Sequence, residues 1–104
     1  MPSLVVRDAA RQDIDDIFAH IAADNLGAAL RVYDAIHAEF ELLAAHPGAG
    51  PLCAFPEPDL ADLRFSPVKG YRSYLVIYRP LPGGVDIVRI IHAATDVRRA
   101  FREP

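Results

Sequence analysis

A single cysteine, Cys53, excludes an internal disulfide and any cysteine-rich metal site. Its immediate neighbours are apolar or proline, so no base stands beside it to raise its reactivity. A reducing, cytoplasmic setting is the expectation that fits. No apolar run approaches the roughly 18 residues that span a bilayer. The opening MPSLVVRDAARQDIDD lacks a basic region followed by a long apolar stretch, so neither export nor membrane anchoring is expected. The histidines, His20, His37, His46 and His92, show no H-x-x-x-H spacing, and no metal is expected. A glycine-rich phosphate loop is missing too: PGAGP precedes no predicted helix and PGG lies in a predicted hairpin, so no nucleotide cofactor is expected. Ser66 and Ser73 fall in predicted strands, without the tight glycine-flanked turn of a serine nucleophile. Acidic side chains outnumber basic ones, 14 to 11. The formal net charge is −3, against the basic balance that neutralising many nucleic-acid phosphates calls for.

What is present suits one compact domain spanning 1–104, with a hydrophobic content of 52% that fills a single core. The charge is unevenly placed. Residues 1–60 carry three basic and ten acidic side chains, whereas residues 61–104 carry eight basic and four acidic ones. The basic set is Arg64, Lys69, Arg72, Arg79, Arg89, Arg98, Arg99 and Arg102. Arginine favours bidentate pairing with carboxylate or phosphate, so the C-terminal part can offer a cationic face to an acidic partner. Ordinary solvated charge is the competing account of any one of these residues.

The pattern along the chain reads as α+β. SLVVR, from Ser3, is β-branched and short, a strand; Asp8 after it can cap a helix whose early turns carry Asp13, Asp15 and Asp16. Ile14, Ile17, Phe18 and Ile21 fall on one face of that helix, which should end near Asp24. After the turn DNLG, the repeat Ala29, Tyr33, Ile36, Phe40 and Leu43 marks a second amphipathic helix that should stop before Pro47. Four prolines and two glycines between His46 and Leu60 leave no room for a regular element, so this stretch is expected to be a long surface connection. Three strands follow, Asp62–Val68, Tyr71–Arg79 and Val85–His92, joined by short turns that favour antiparallel hairpins. A last short helix should run from about Asp96 to Arg102 with Thr95 as its cap. The helical hairpin should pack on this small antiparallel sheet.

RIIHAATDVRRAF places a histidine, a hydroxyl and a carboxylate close together, at His92, Thr95 and Asp96. Two-residue periodicity puts Val88, Ile90 and His92 on one face and Val85, Ile87, Arg89 and Ile91 on the other. Both faces are mostly apolar, as in a central strand covered on both sides, by helices on one and by the tail or a partner on the other. His92 is then expected inward, in a structural role, with Thr95 and Asp96 as the cap and first turn of the helix. Arg89 among apolar neighbours needs a carboxylate or a ligand; Asp62 and Asp86 are the intrachain candidates.

This order of elements, with the run from AARQDIDDIFAHI through LAAHPGAG, then LRFSPVKGYRSYLVIYRP and VDIVRIIHAATD, resembles the RelE/ParE toxins of type II toxin-antitoxin systems, most closely the ParE-like (plasmid stabilisation) branch. The resemblance covers nearly the whole chain. It implies a toxin that does no chemistry, binds DNA gyrase or its relative topoisomerase IV, and is held in a hetero-oligomer by a ParD-like antitoxin. Neither direct sequence-specific nucleic-acid binding nor a cofactor is implied. RelE-type members instead cleave messenger RNA on the ribosome, using clustered cations and a tail tyrosine. Here those neighbourhoods hold one lysine, Lys69, then Thr95 and Phe101, and a phenylalanine exchanges no proton. The RelE-type endoribonuclease is the second reading, kept open by His92 because some related nucleases use a histidine there. A member that has lost toxicity and serves as a scaffold is the third. The binding candidates are therefore Arg64, Lys69, Arg72, Arg89, Arg98 and Arg99. Amphipathic hairpin residues such as Tyr33 and Phe40 are candidates for an antitoxin groove, with core packing as the alternative.

Overall fold

The computed structural model describes residues 3–95 and 100–101. Its order is β1 (Ser3–Val6), α1 (Asp8–Ala22), α2 (Leu26–Ala45), a 3-10 turn (Pro58–Leu60), β2 (Arg64–Val68), β3 (Tyr71–Leu81) and β4 (Gly84–His92). Arg7, extended and without a side-chain cap bond, precedes α1, so Asp8 lies inside the first turn and acts through the helix dipole, not as the cap expected of it. Asn25 does cap α2, its side-chain oxygen accepting from the Ala28 N–H at 3.0 Å. That helix ends before Pro47, as the sequence requires. Among the described residues no helix is long and apolar enough to cross a membrane.

The strands form one sheet in the order β1-β4-β3-β2. β2, β3 and β4 are antiparallel neighbours, as expected, while β1 joins the far side of β4 in parallel, pairing Ser3 with Gly84 through Val6 with Ile87. The sheet is thus mixed. Gly70, at φ +85°, makes the tight turn between β2 and β3, in a backbone region that suits glycine.

One face of the sheet lies under the helices. Ile14, Val32, Ile36, Phe40 and Leu43 meet Val68, Val76, Tyr78, Val85, Ile87 and Ile90 there. Val32, not Tyr33, completes the buried stripe of α2; Tyr33 is 41% exposed. On α1 only Ala10 and Ile14 are fully buried. The other face carries Leu63, Ile77, Val88 and Ile91, covered by Cys53, Phe55 and Leu60 of the proline-rich segment and by Ala100 and Phe101 of the tail. That segment is therefore more than a surface connection: it supplies the apolar lid that a short domain has no third helix to provide.

β4 departs from strict alternation. Tyr78 pairs with Ile87 and Ile77 with Arg89, which leaves Val88 as an extra residue, a β-bulge. Each residue beyond it changes face. Hence Val85, Ile87 and Ile90 share the helical side while Val88 and Ile91 share the other, in place of the grouping that unbroken period two predicts.

Pro51 to Cys53 run along β2, with Phe65 N–H donating to Pro51 O at 3.1 Å and Cys53 N–H to Leu63 O at 2.8 Å. This covers one edge of the sheet. The turn depends on Gly50: a side chain there would collide with the Phe65 carbonyl and come within 2.7 Å of the Tyr78 hydroxyl. That hydroxyl accepts from the Gly50 N–H at 2.8 Å, which accounts for one glycine of LAAHPGAG in structural terms.

Candidate interaction surface

Of the His, Thr and Asp cluster, His92 and Thr95 are described. His92 is exposed, not inward as its parity suggests. Parity sets the face a side chain takes, and His92 does stand opposite Tyr74 with the rings edge to face at 5.6 Å, but the covering layer stops short of the last strand position. Its Nδ1 accepts from the Ala94 N–H at 3.1 Å, and its carbonyl accepts from the Thr95 N–H at 2.8 Å. Thr95 thus closes a turn. Asp96 and most of the expected last helix lie outside the described residues, although Ala100 is helical.

Arg89 has an intrachain partner, but neither of the two anticipated. Asp13 of α1 takes both Nε and Nη2, at 2.7 and 3.0 Å. The same carboxylate accepts the Ile90 N–H at 2.9 Å, satisfying the edge of β4 where β1 has ended. Asp86 is committed to Arg7, with an Nη2–Oδ2 distance of 2.6 Å, and Asp62 to Arg79 at 3.2 Å. Hydrogen bonding to their carboxylates holds both Arg7 and Arg89 above the ordinary arginine pKa, against the opposing effect of burial. Sequence spacing could not single out Asp13, which lies on a different element and 76 residues away.

The remaining candidates sort by what they touch. Arg64 donates to Gly50 O at 2.6 Å and so supports the loop. Lys69 and Arg72 are exposed and, among the described residues, their side chains have no ion-pair partner. They flank the β2–β3 turn, which buried Glu39 of α2 ties down by accepting from Ser66 Oγ–H at 2.8 Å and, at a longer 3.4 Å, from the Lys69 N–H. Arg98 and Arg99 lie outside the described residues. Two of the six binding candidates, Arg64 and Arg89, are thus committed internally, and two, Lys69 and Arg72, are available.

The cleft beside His92, about 220 Å³, includes Asp13, Asp16, Tyr74 and Arg89. Among the described residues its one arginine is already paired with Asp13. Stabilising the charge that develops at a scissile phosphate calls for several convergent cations, and the described residues of this cleft offer no second one. Cys53 is half-buried, and burial pushes its thiol pKa up, away from the reactive thiolate.

The helical hairpin carries a second kind of surface. Phe18, Leu30 and Tyr33, with Asp15, line a cleft of about 300 Å³. Tyr33 and Asp15 also border a neighbouring cleft of about 200 Å³ with Val6, Arg11, Ile14 and His37. Tyr33 contacts Phe18 edge to face at 6.2 Å and His37 at 4.4 Å. Tyr33 is therefore a groove residue, whereas Phe40, 0% exposed, belongs to the core. The groove leads toward β1, where Leu4 and Val5 are also exposed. The sequence signal for it was the run of apolar residues on α1, wider than the part of α1 that the core consumes.

A family model for the ParE toxin of type II toxin-antitoxin systems, parDE, matches residues 4–97. The chain belongs to the ParE toxin family. No curated protein matches it by sequence. Its fold is similar to that of a solved chain described as "Chromosomal ParDE TA system from P. aeruginosa", with a TM-score of 0.70 over 88% of this chain and 96% of that one, at 20% identity. The α+β architecture is accordingly that of a ParE-like toxin, and membership of a two-component system carries with it an antitoxin partner.

Proposed function

We propose that this chain acts by binding and blocking a type II topoisomerase, DNA gyrase before topoisomerase IV, in the cytoplasm and without catalysing a reaction. The observation that carries the reading is the ParE family match, and it is supported by the state of the cations. Arg89 and Arg64 are held by internal partners, so no cluster of free cations faces a common point among the described residues. Lys69 and Arg72, together with Arg98 and Arg99, are the side chains assigned to target contact. Replacing Lys69 and Arg72 together by alanine is expected to weaken target inhibition at least severalfold while leaving the thermal midpoint within a degree or two, because exposed charges contribute little to folding.

The antitoxin is assigned to a different surface. Tyr33, Phe18 and Leu30 offer an apolar groove to an amphipathic helix, and β1, the edge strand that no described segment covers, offers backbone groups to an extended one. Neutralisation would then leave the toxin folded and cover it.

Purified protein added to a gyrase supercoiling assay, and in parallel to a translating extract with primer extension on the message, tests the reading. Inhibited supercoiling with intact message is the expected result; cut message with normal supercoiling would overturn it. One observation favours the alternative, a ribosome-dependent endoribonuclease: His92 is exposed beside Tyr74. In that case His92→Ala abolishes message cleavage, whereas under the binding reading it leaves inhibition intact.

A further inference from the structure

Arg89 serves three elements at once. Its Nε and Nη2 grip both oxygens of Asp13 on α1, it is itself part of β4, and its remaining end, Nη1, donates to the carbonyl of Ala100 at 3.0 Å. Asp13 cannot swing away with the guanidinium, because its Oδ2 is also fixed by the Ile90 N–H. The geometry uses the full planar fork of arginine: two donors aimed at a carboxylate and a third aimed elsewhere, a division that the point charge of lysine does not reproduce. Ala100 and Phe101 pack on the second face of the sheet, with the Phe101 ring 6.1 Å from Phe55. Both residues are only half-buried, so apolar contact alone gives this segment a weak hold.

We propose that Arg89 is a positioning residue, a latch: clamped by Asp13, it fixes the C-terminal segment at Ala100 and thereby seats Phe101 as part of the lid over the second face. The latch joins the first helix to the end of the chain through one side chain. Its consequence for activity rests on the reading above, in which the C-terminal arginines meet the target; the latch itself does not depend on that reading.

The two claims separate experimentally. Trypsin cleaves after Arg98 and Arg99, next to the latch, and after exposed Arg31 in α2, far from it in sequence, so a timed digest of the full chain read by intact mass reports both regions in one sample. With rapid opening and closing, the cleavage rate follows the open population. Arg89→Lys keeps a cation for Asp13 and is expected to speed cleavage after Arg98 and Arg99 roughly tenfold, the factor that loss of one hydrogen bond to a charged donor carries, while cleavage after Arg31 is unchanged. Phe101→Ala, which removes the apolar half of the hold and leaves Arg89 in place, is expected to act in the same direction. Tail cleavage that stays at the native rate in Arg89→Lys, or that rises only in step with cleavage after Arg31, would overturn the latch. If the tail opens as expected and supercoiling inhibition is unaffected, the latch stands and the assignment of the C-terminal arginines to the target falls. If Arg89→Lys does not fold, Phe101→Ala, which leaves the ion pair with Asp13 in place, still decides whether cleavage after Arg98 and Arg99 follows release of this segment.

Discussion

The two faces of the sheet are closed by different means. Under the helices, long side chains from α2 fill a core in which Phe40, Ile36 and Leu43 are at most 1% exposed. On the other side a proline-rich segment and the end of the chain lay Cys53, Phe55, Leu60 and Phe101 over Leu63, Ile77, Val88 and Ile91, and the cover is only partly buried itself. An apolar cleft of about 180 Å³ remains there between Cys53, Phe55, Phe65, Leu75 and Ile77. A helix delivers a full apolar stripe from one continuous element and satisfies its own backbone. An irregular segment must find partners for each backbone group separately, so it covers less area per residue.

Truncating one aromatic on each side measures that difference. Phe40→Ala should cost about 3–5 kcal/mol in denaturant unfolding, since the helical side cannot collapse around the void. Phe55→Ala should cost under about half of that, because its ring is only partly buried and already borders a cleft. Equal losses would mean that the two faces are equally tight. At the seam between them, Gly50→Ala forces a methyl group against the Phe65 carbonyl and the Tyr78 hydroxyl, and about 1–3 kcal/mol should be lost. A neutral result would show that the loop shifts freely, and would remove the account given for that glycine.

The smallest expected effect is one of pH. Burial, the largest influence, raises the Tyr78 pKa above its ordinary 10.0, against a lowering by the Gly50 hydrogen bond. A proton held more tightly in the folded state than in the unfolded one stabilises fully below pH 10.0, and that stability is lost as pH rises toward the raised value. Tyr78→Phe should therefore cost about 1 kcal/mol near neutrality, where the Gly50 N–H loses its acceptor, and should show a shallower decline above pH 10. The thiol of Cys53 is raised for the same reason and adds its own alkaline slope, so the comparison is best made with Cys53 replaced by alanine in both proteins. Identical slopes with and without the phenol would show that Tyr78 is not the group responsible.

Much of this was legible in the chain. Ile14, Ile36, Phe40 and Leu43 announced amphipathic helices by spacing, Pro47 stopped the second one, and Lys69-Gly70 marked a hairpin turn. Each of those is a local property, fixed by side-chain period or by backbone sterics within a few residues. The candidate site was less legible because it depends on where charges find partners. Arg89 looked conspicuous for sound reasons, since an arginine amid Val88, Ile90 and Ile91 needs compensation, yet Asp13 could be named only once α1 had been laid across the end of β4. The bulge at Val88 is a similar case: nothing in VDIVRIIH states that one residue will go unpaired, and that residue decides which side chains face the helices.

By itself, then, the sequence determined the α+β order, the two helices of the hairpin, the family to which the chain belongs and the basic bias of its C-terminal part. Only the tertiary structure decided that Arg64 and Arg89 are structural cations while Lys69 and Arg72 have no ion-pair partner among the described residues, and that Tyr33 lines a groove while Phe40 fills a core. It also placed His92 on the surface. The reason is one of range: period, capping and turn chemistry act between neighbours in the chain, whereas ion pairing and burial depend on atoms brought together from distant segments, and the same residue types permit many such pairings until the fold selects one.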